Sequence, residues 1–426
     1  MQTASKKVIN GWAMYDWANS VYNLVITSTI FPAYYEAVTK VNGDDTVIFL
    51  GRKFVNTALY NYAIATAILI VAILIPILSS IADYKGNKKN FMRFFCTIGS
   101  IACSCLFFFT GKDSMGVGIL CIVIACIGFW SSLVFYNSYL PEIAAAEDSD
   151  MVSAKGFTLG YIGSVLLQII CLVLVFTMKD GGMAARLSFV LVGLWWIGWA
   201  QIPFNRLPKG EPSAHRPDKS IFANGFIELK KVWAQVKSMP VLKRFLAAFF
   251  FYNMGVQTVM LAAALFGAKE LNLPTDQLII TILIIQLVAI AGAYLMANLA
   301  KKFGNLQVLA FVVVIWILIC VAAYFTTTAT EFYLLGAAVG LVMGGIQSLS
   351  RSTYSKLMPE TKDTASFFSF YDVSEKVAIV IGMFTFGFLE ELTGSMRNSI
   401  LAIMAFFIVG LLLLLITIAA KKRLAS

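Results

Sequence analysis

The chain has 426 residues, 59% of them hydrophobic and 13% charged, with a formal net charge of +10. Soluble domains carry about 25% charged residues, so this composition excludes an ordinary water-soluble globule and reads as a membrane protein. All seven cysteines lie inside apolar segments without a C-x-x-C pair, and the one histidine, His215, sits in a polar loop, so no metal site, disulfide framework or cofactor is expected.

Behind the short basic start MQTASKK, residues 12–35 are expected to form a first, uncleaved membrane span. The run is too long and too polar for a signal-peptide core and has no small-residue cleavage site. About 20 residues cross a hydrocarbon core ~30 Å thick. If the helix starts near Gly11, Asp16 lies roughly 8 Å below the surface, where an unpaired carboxylate is costly. On a 3.6-residue period Trp12, Tyr15, Asp16, Asn19, Tyr22 and Asn23 share one stripe, which is expected to face water, substrate or other helices. Leu24, Val25 and Ile26 begin the purely apolar half.

Further apolar segments run over 56–82, 92–111, 115–140, 154–177 and 184–203, then 241–268, 277–299, 306–326, 332–352, 364–389 and 398–420. The twelve segments predict an all-α membrane protein with both ends on one side. Most of the 33 Lys and Arg cluster on that side, at 85–93, 206–244, 301–302, 351–362 and the C-terminus. Both termini are therefore expected in the cytoplasm of a bacterial-type inner membrane. The net charge then reflects topology, and nucleic acid is not an expected partner.

The polar stretch 206–240 separates six segments from six, predicting an N-terminal bundle (1–205), a linker and a C-terminal bundle (241–426). Within the linker, Phe222, Phe226, Leu229, Trp233 and Val236 recur at helical spacing with Lys230, Lys231 and Lys237 between them. That pattern predicts an amphipathic helix on the membrane surface, its basic face toward anionic lipid headgroups. The halves also repeat. Gly86 corresponds to Gly304 and Pro141 to Pro359 at one common offset, as expected of parallel six-helix repeats.

In the eleventh segment Asp372 and Lys376 are spaced for an i,i+4 pair, with Glu375 beside them and Lys376 ~18 Å into the span. An internal salt bridge, a bridge from Asp372 or Glu375 to Arg351, and a substrate or coupling role are all open. Small-residue ladders, Gly156/Gly160/Ser164 in the fifth span and Ala289/Ala293/Ala297 in the eighth, predict close backbone approach, as do Gly336, Gly340, Gly344 and Ser348 in the tenth.

The loop with Ser79, Ala82, Asp83, Lys85, Gly86, Lys88 and Lys89 resembles the signature of the major facilitator superfamily, with Ser79, Tyr84 and Asn87 as departures. In the second copy Lys301 stands where the family often has Asp. Tyr15-Asp16-Trp17-Ala18-Asn19-Ser20, Gly344-Gly345-Ile346-Gln347-Ser348-Leu349-Ser350-Arg351-Ser352 and Phe367-Phe368-Ser369-Phe370-Tyr371 resemble the vacuole-effluxer-like branch of that superfamily. The resemblance implies a twelve-helix carrier in two pseudo-symmetric six-helix bundles. Its first, fourth, seventh and tenth helices line a central cavity, and the fungal relatives export amino acids.

On that reading the substrate-binding or coupling residues are Tyr15, Asp16, Asn19, Asn137, Asn253, Gln257, Gln347, Asp372, Glu375 and Lys376. Any one of the uncharged residues can equally be interhelical glue. Asp83, Gly86 and Arg351 are the expected conformational latch, in which the resemblance brings Asp83 to the start of the eleventh helix. The fifth and eighth helices are expected to meet across the halves through their ladders. The expected partners are a small solute, a proton if the carrier is ion-driven, and membrane lipid; a monomer is expected. A non-transporting sensor or a lipid-moving protein is the rival reading. No nucleophile, metal cluster or nucleotide loop supports an enzyme.

Overall fold

A computed structural model describes residues 2–40, 43–210 and 221–425. His215 lies outside the described residues, as do the side chains of Phe222 and Phe226. The first rod begins at Lys6 rather than near Gly11, which sets Asp16 ~15 Å along it. It comprises α1 (Lys6–Val21), a π-helical stretch (Tyr22–Thr29) and α2 (Ile30–Thr39). Pro32 has no N–H, and its ring crowds the preceding turn, so a widened turn before it relieves the conflict. The hydroxyl of Ser28 donates to Asn23 O (2.9 Å), and that of Thr29 lies 2.7 Å from Leu24 O, both five residues back. Asn23 is exposed, while Leu24, Val25 and Ile26 are buried.

A hairpin follows, β1 (Thr46–Phe49) and β2 (Arg52–Val55), which has no counterpart among the predicted elements. Its two-residue turn holds Leu50 at φ +49° and Gly51 at φ +76°, the doubly positive geometry that matches strand twist. The remaining elements are α3 (Asn56–Lys85), α4 (Lys88–Cys105), α5 (Met115–Asn137), the short α6 (Leu140–Ile143), α7 (Ser149–Thr177) and α8 (Gly181–Arg206). Then come α9 (Ile221–Ser238), α10 (Pro240–Glu270), α11 (Thr275–Phe303), α12 (Asn305–Phe325), α13 (Ala329–Leu357), α14 (Thr364–Thr393) and α15 (Met396–Ala425). Among the described residues 10 helices are long and apolar enough to cross a membrane. The two further long rods are the interrupted first one and α14, which carries Asp372, Glu375 and Lys376. All twelve expected spans are thus present as helices.

Packing groups the chain into two units, Ser5–Ser138 with Leu159–Phe226, and Met1–Ala4 with Tyr139–Thr158 and Ile227–Ser426. The first unit has an aromatic core. Trp12 stacks on Tyr136 (4.5 Å between centroids), Tyr22 packs on Phe129 and Trp196, and Phe31, Tyr35, Phe109 and Phe189 form a further cluster. Gly160 and Gly163 of α7 lie against α1; a Cβ on them would meet Ser20 Oγ at 2.5 Å and Trp17 O at 2.7 Å.

In the second unit α11 and α13 nearly touch. A Cβ on Gly340 would lie 2.4 Å from Ile285 O, and one on Gly344 2.4 Å from Ala289 O. Ala289 of the α11 ladder packs on α13, while Ala293 and Ala297 meet Ala154 of α7, so the fifth and eighth spans do touch there; Gly160 of the α7 ladder instead faces α1. The linker helix α9 also departs from a purely lipid-facing role. It buries Val232 and Val236 and stacks Trp233 on Phe370 of α14 (5.8 Å), leaving Lys230 and Lys231 exposed.

Candidate functional site

In the second unit, α10 and α14 set five of the expected residues into one hydrogen-bonded chain. Asn253 and Gln257 lie one helical turn apart, so their side chains share a face. Gln257 Nε2 is 3.4 Å from Asn253 Oδ1 and donates to Glu375 Oε1 at 2.9 Å. Lys376 Nζ is 2.8 Å from Asp372 Oδ1 and 3.5 Å from Glu375 Oε2, so one ammonium serves two carboxylates. Lys376 is 1% exposed, Asp372 and Asn253 5% each. Asp372 Oδ2 and Asn253 Nδ2 are buried without a partner among the described residues. Tyr371 stacks on Phe249 (4.3 Å) and packs on Tyr354 (4.8 Å), and Tyr252 shares a hydrogen bond with Ser350 (2.8 Å). These rings exclude water from one side of the cluster, which strengthens every electrostatic contact within it.

Arg351 grips α7. Its Nε donates to Ser153 Oγ (3.0 Å), its Nη2 to Ser153 O (2.9 Å), and its guanidinium stands 4.3 Å over the Phe157 ring. Gln347 is half-buried one turn earlier, beside Ser348, whose carbonyl accepts from Ser153 Oγ (2.8 Å). Sequence reasoning missed the ion-pair network next to this contact. Asp150 in the first turn of α7 meets Lys356 Nζ at 2.5 Å and Asn305 Nδ2 at 2.6 Å, and Asn305 also donates to Thr353 Oγ1 (3.0 Å). Glu142 of α6 accepts from Thr364, the first residue of α14, at 2.7 Å. The available signal was an acid just inside a helix start, where the dipole favours it.

The first unit holds the other charged candidate. Tyr136 of α5 donates its hydroxyl to Asp16 Oδ2 (2.7 Å), and Trp12 Nε1 donates to Tyr136 O (2.9 Å). Tyr15 is fully buried between Tyr136 and Phe204, and Asn19, 1% exposed, has Nδ2 without a partner among the described residues. Asn137 is half-buried beside Tyr136. Asp83 is 3% exposed in the last turn of α3, which Gly86 ends at φ +62°, a conformation that suits glycine.

Residues 4–425 match the model of a family described as vacuole effluxer Atg22 like. The chain belongs to this family. It is 31% identical over 411 residues to the uncharacterized MFS-type transporter YxiO of Bacillus subtilis (strain 168), a match covering 95% of this chain and 93% of the relative. Autophagy-related protein 22 of Kluyveromyces lactis is 25% identical, over 96% of this chain and 92% of the relative. Among solved structures the fold is similar to the E. coli fucose:proton symporter FucP (TM-score 0.70, 12% identity, 96% of this chain and 97% of that one). It is also similar to the human organic anion transporter MFSD10 (TM-score 0.71, 11% identity, 96% and 98%). This effluxer-family chain is an integral multi-pass membrane protein with the major facilitator fold, a transporter rather than an enzyme.

Proposed function

We propose that this transporter moves small zwitterions of the amino-acid class by alternating access between bundles 1–205 and 241–426, joined by the 206–240 linker. The observation that carries the reading is the hydrogen-bonded α10–α14 cluster, whose buried, incompletely matched charges suit a ligand with both a donor and an acceptor. Amino-acid export by the effluxer relatives, implied by the resemblance, supports the substrate class. Asp16, tied to Tyr136, is the second charged site and the candidate for proton coupling, because a buried carboxylate can load and release a proton as its exposure changes. Tyr15, Asn19, Asn137 and Gln347 complete the polar lining. Arg351 serves as the latch, a role its grip on Ser153 favours, together with Asp83 and Gly86. The protein works as a monomer in a bacterial-type inner membrane with both termini cytoplasmic, and α9 places its lysines against anionic headgroups.

The decisive experiment is uptake and counterflow of a radiolabelled amino-acid panel in proteoliposomes, with and without a pH gradient. Saturable movement of at least one amino acid is expected, accelerated by the gradient. No movement of any amino acid, with saturable movement of sugars or organic anions, would reject the substrate class; gradient-independent rates would reject the coupling.

A further inference from the structure

We propose that the α10–α14 cluster seats a primary ammonium group of the ligand on Asp372 Oδ2, with Asn253 Nδ2 donating to the carboxylate beside that ammonium. This rests on the carrier reading above and specifies which ligand group the site selects. Within hydrogen-bond reach of one another stand two carboxylates, Asp372 and Glu375, and one ammonium, Lys376. The cluster is one positive charge short. Lys376 occupies Asp372 Oδ1 and reaches Glu375, while Gln257 occupies the other oxygen of Glu375. What remains is one carboxylate oxygen and one amide nitrogen, each on a residue 5% exposed and each without a partner among the described residues.

Buried polar atoms are almost always satisfied, and a bare carboxylate oxygen in a water-poor site is the costlier exception. A ligand that removes both costs must donate to Asp372 and accept from Asn253. A neutral polyol supplies the hydrogen bonds but leaves the charge shortfall in place. An inorganic anion or a dicarboxylate deepens it. An α-amino acid supplies an ammonium and an adjacent acceptor together, and a charge-assisted hydrogen bond to Asp372 is about twice as strong as a neutral one. Glu375, with its side chain 18% exposed, and half-buried Gln257 mark the more open side of the cluster.

The test uses the detergent-purified full chain and reads ligand affinity by thermal stabilisation. The probes are the amino acids, each matched with its des-amino acid and its decarboxylated amine. At least one amino acid should bind, with its des-amino partner weaker by about tenfold or more. In Asp372→Asn that gap should collapse toward equal affinity. Equal affinity in the wild type, an undiminished gap in Asp372→Asn, or no binding by any amine-bearing probe overturns the ammonium seat. Binding of the decarboxylated amines alone upholds that seat and rejects the amino-acid substrate. Amino-acid binding indifferent to the amine does the reverse. The analogue comparison needs no variant, so a misfolded Asp372→Asn leaves the wild-type result decisive.

Discussion

Replacing Lys376 by Met removes the one ammonium that the α10–α14 carboxylates share and keeps most of the side-chain volume. Lys376 is 1% exposed and 2.8 Å from Asp372, so no water replaces the lost contact. Removing one partner of a buried ion pair costs about 3–5 kcal/mol, because the other charge is left uncompensated. Here two carboxylates are left, since Glu375 stands 3.5 Å from the same ammonium, which places the expected loss toward the upper part of that range. A second change, Asp372→Asn, removes one of them, and the double variant should recover about half of the loss or more. Equilibrium unfolding of the detergent-solubilised chain, followed by the fluorescence of its 8 tryptophans, measures both steps. Transport should be abolished in Lys376→Met and in Lys376→Ala. A single variant within ~0.5 kcal/mol of wild type, or a double variant no more stable than the single one, would refute a buried, charge-compensated cluster.

Gly340→Ala should destabilise by about 1–3 kcal/mol, because its Cβ would lie 2.4 Å from a backbone oxygen that cannot yield; Gly198→Ala, with nothing within 4 Å, is the control, and unfolding equilibria compare them. Asp150→Asn should loosen the start of α7 by removing the Lys356 pair, so that a cysteine placed at Ala154 in a cysteine-free background labels with maleimide several-fold faster; an unchanged labelling rate would show that this pair does not hold the contact. Leu50→Asn should slow hydrogen exchange across the 46–55 hairpin, since Asn tolerates the positive φ that an 87% exposed leucine holds there without compensation. Asp44 has its carboxyl drawn down from 3.8 to about 2 by hydrogen bonds from Lys112 and Thr46. Its folded-state value is the lower one, so its stabilisation of the loop is complete above about pH 4 and lost as the pH falls toward 2. Hydrogen exchange at Thr46 should report that loss, and Asp44→Asn should remove it.

The twelve spans were legible because each is a continuous apolar run bounded by charge, a signal that needs no tertiary information. Asp372 and Lys376 were legible as a pair for an equally local reason, since i,i+4 spacing on one helix fixes their separation. Asn253 and Gln257 were legible as candidates one helical turn apart, but their link to Glu375 depends on how α10 packs against α14, which spacing along one helix does not encode. The π-helical stretch escaped a 3.6-residue period by definition. In the widened turn the Thr29 hydroxyl lies near Leu24 O, five residues back, and 2.9 Å from Gln168 of α7. Ser28, Thr29 and Pro32 were the visible clues, two hydroxyls able to bond carbonyls and a residue without an N–H, yet none of them fixes how far the turn opens.

The second-copy loop illustrates why a charge motif transfers poorly between repeats. Lys301 stands where an acid is common, which removes the carboxylate from that loop. The structure supplies it from the other side of the contact: Asp150 sits in the first turn of α7, and Asn305 and Lys356 converge on it from the start of α12 and the end of α13. An acid in the first turn of a helix is stabilised by the dipole wherever it comes from, so exchanging which element carries the acid and which carries the donors preserves the interaction while erasing its local signature. Glu142, which accepts from Thr364, follows the same logic at the start of α14.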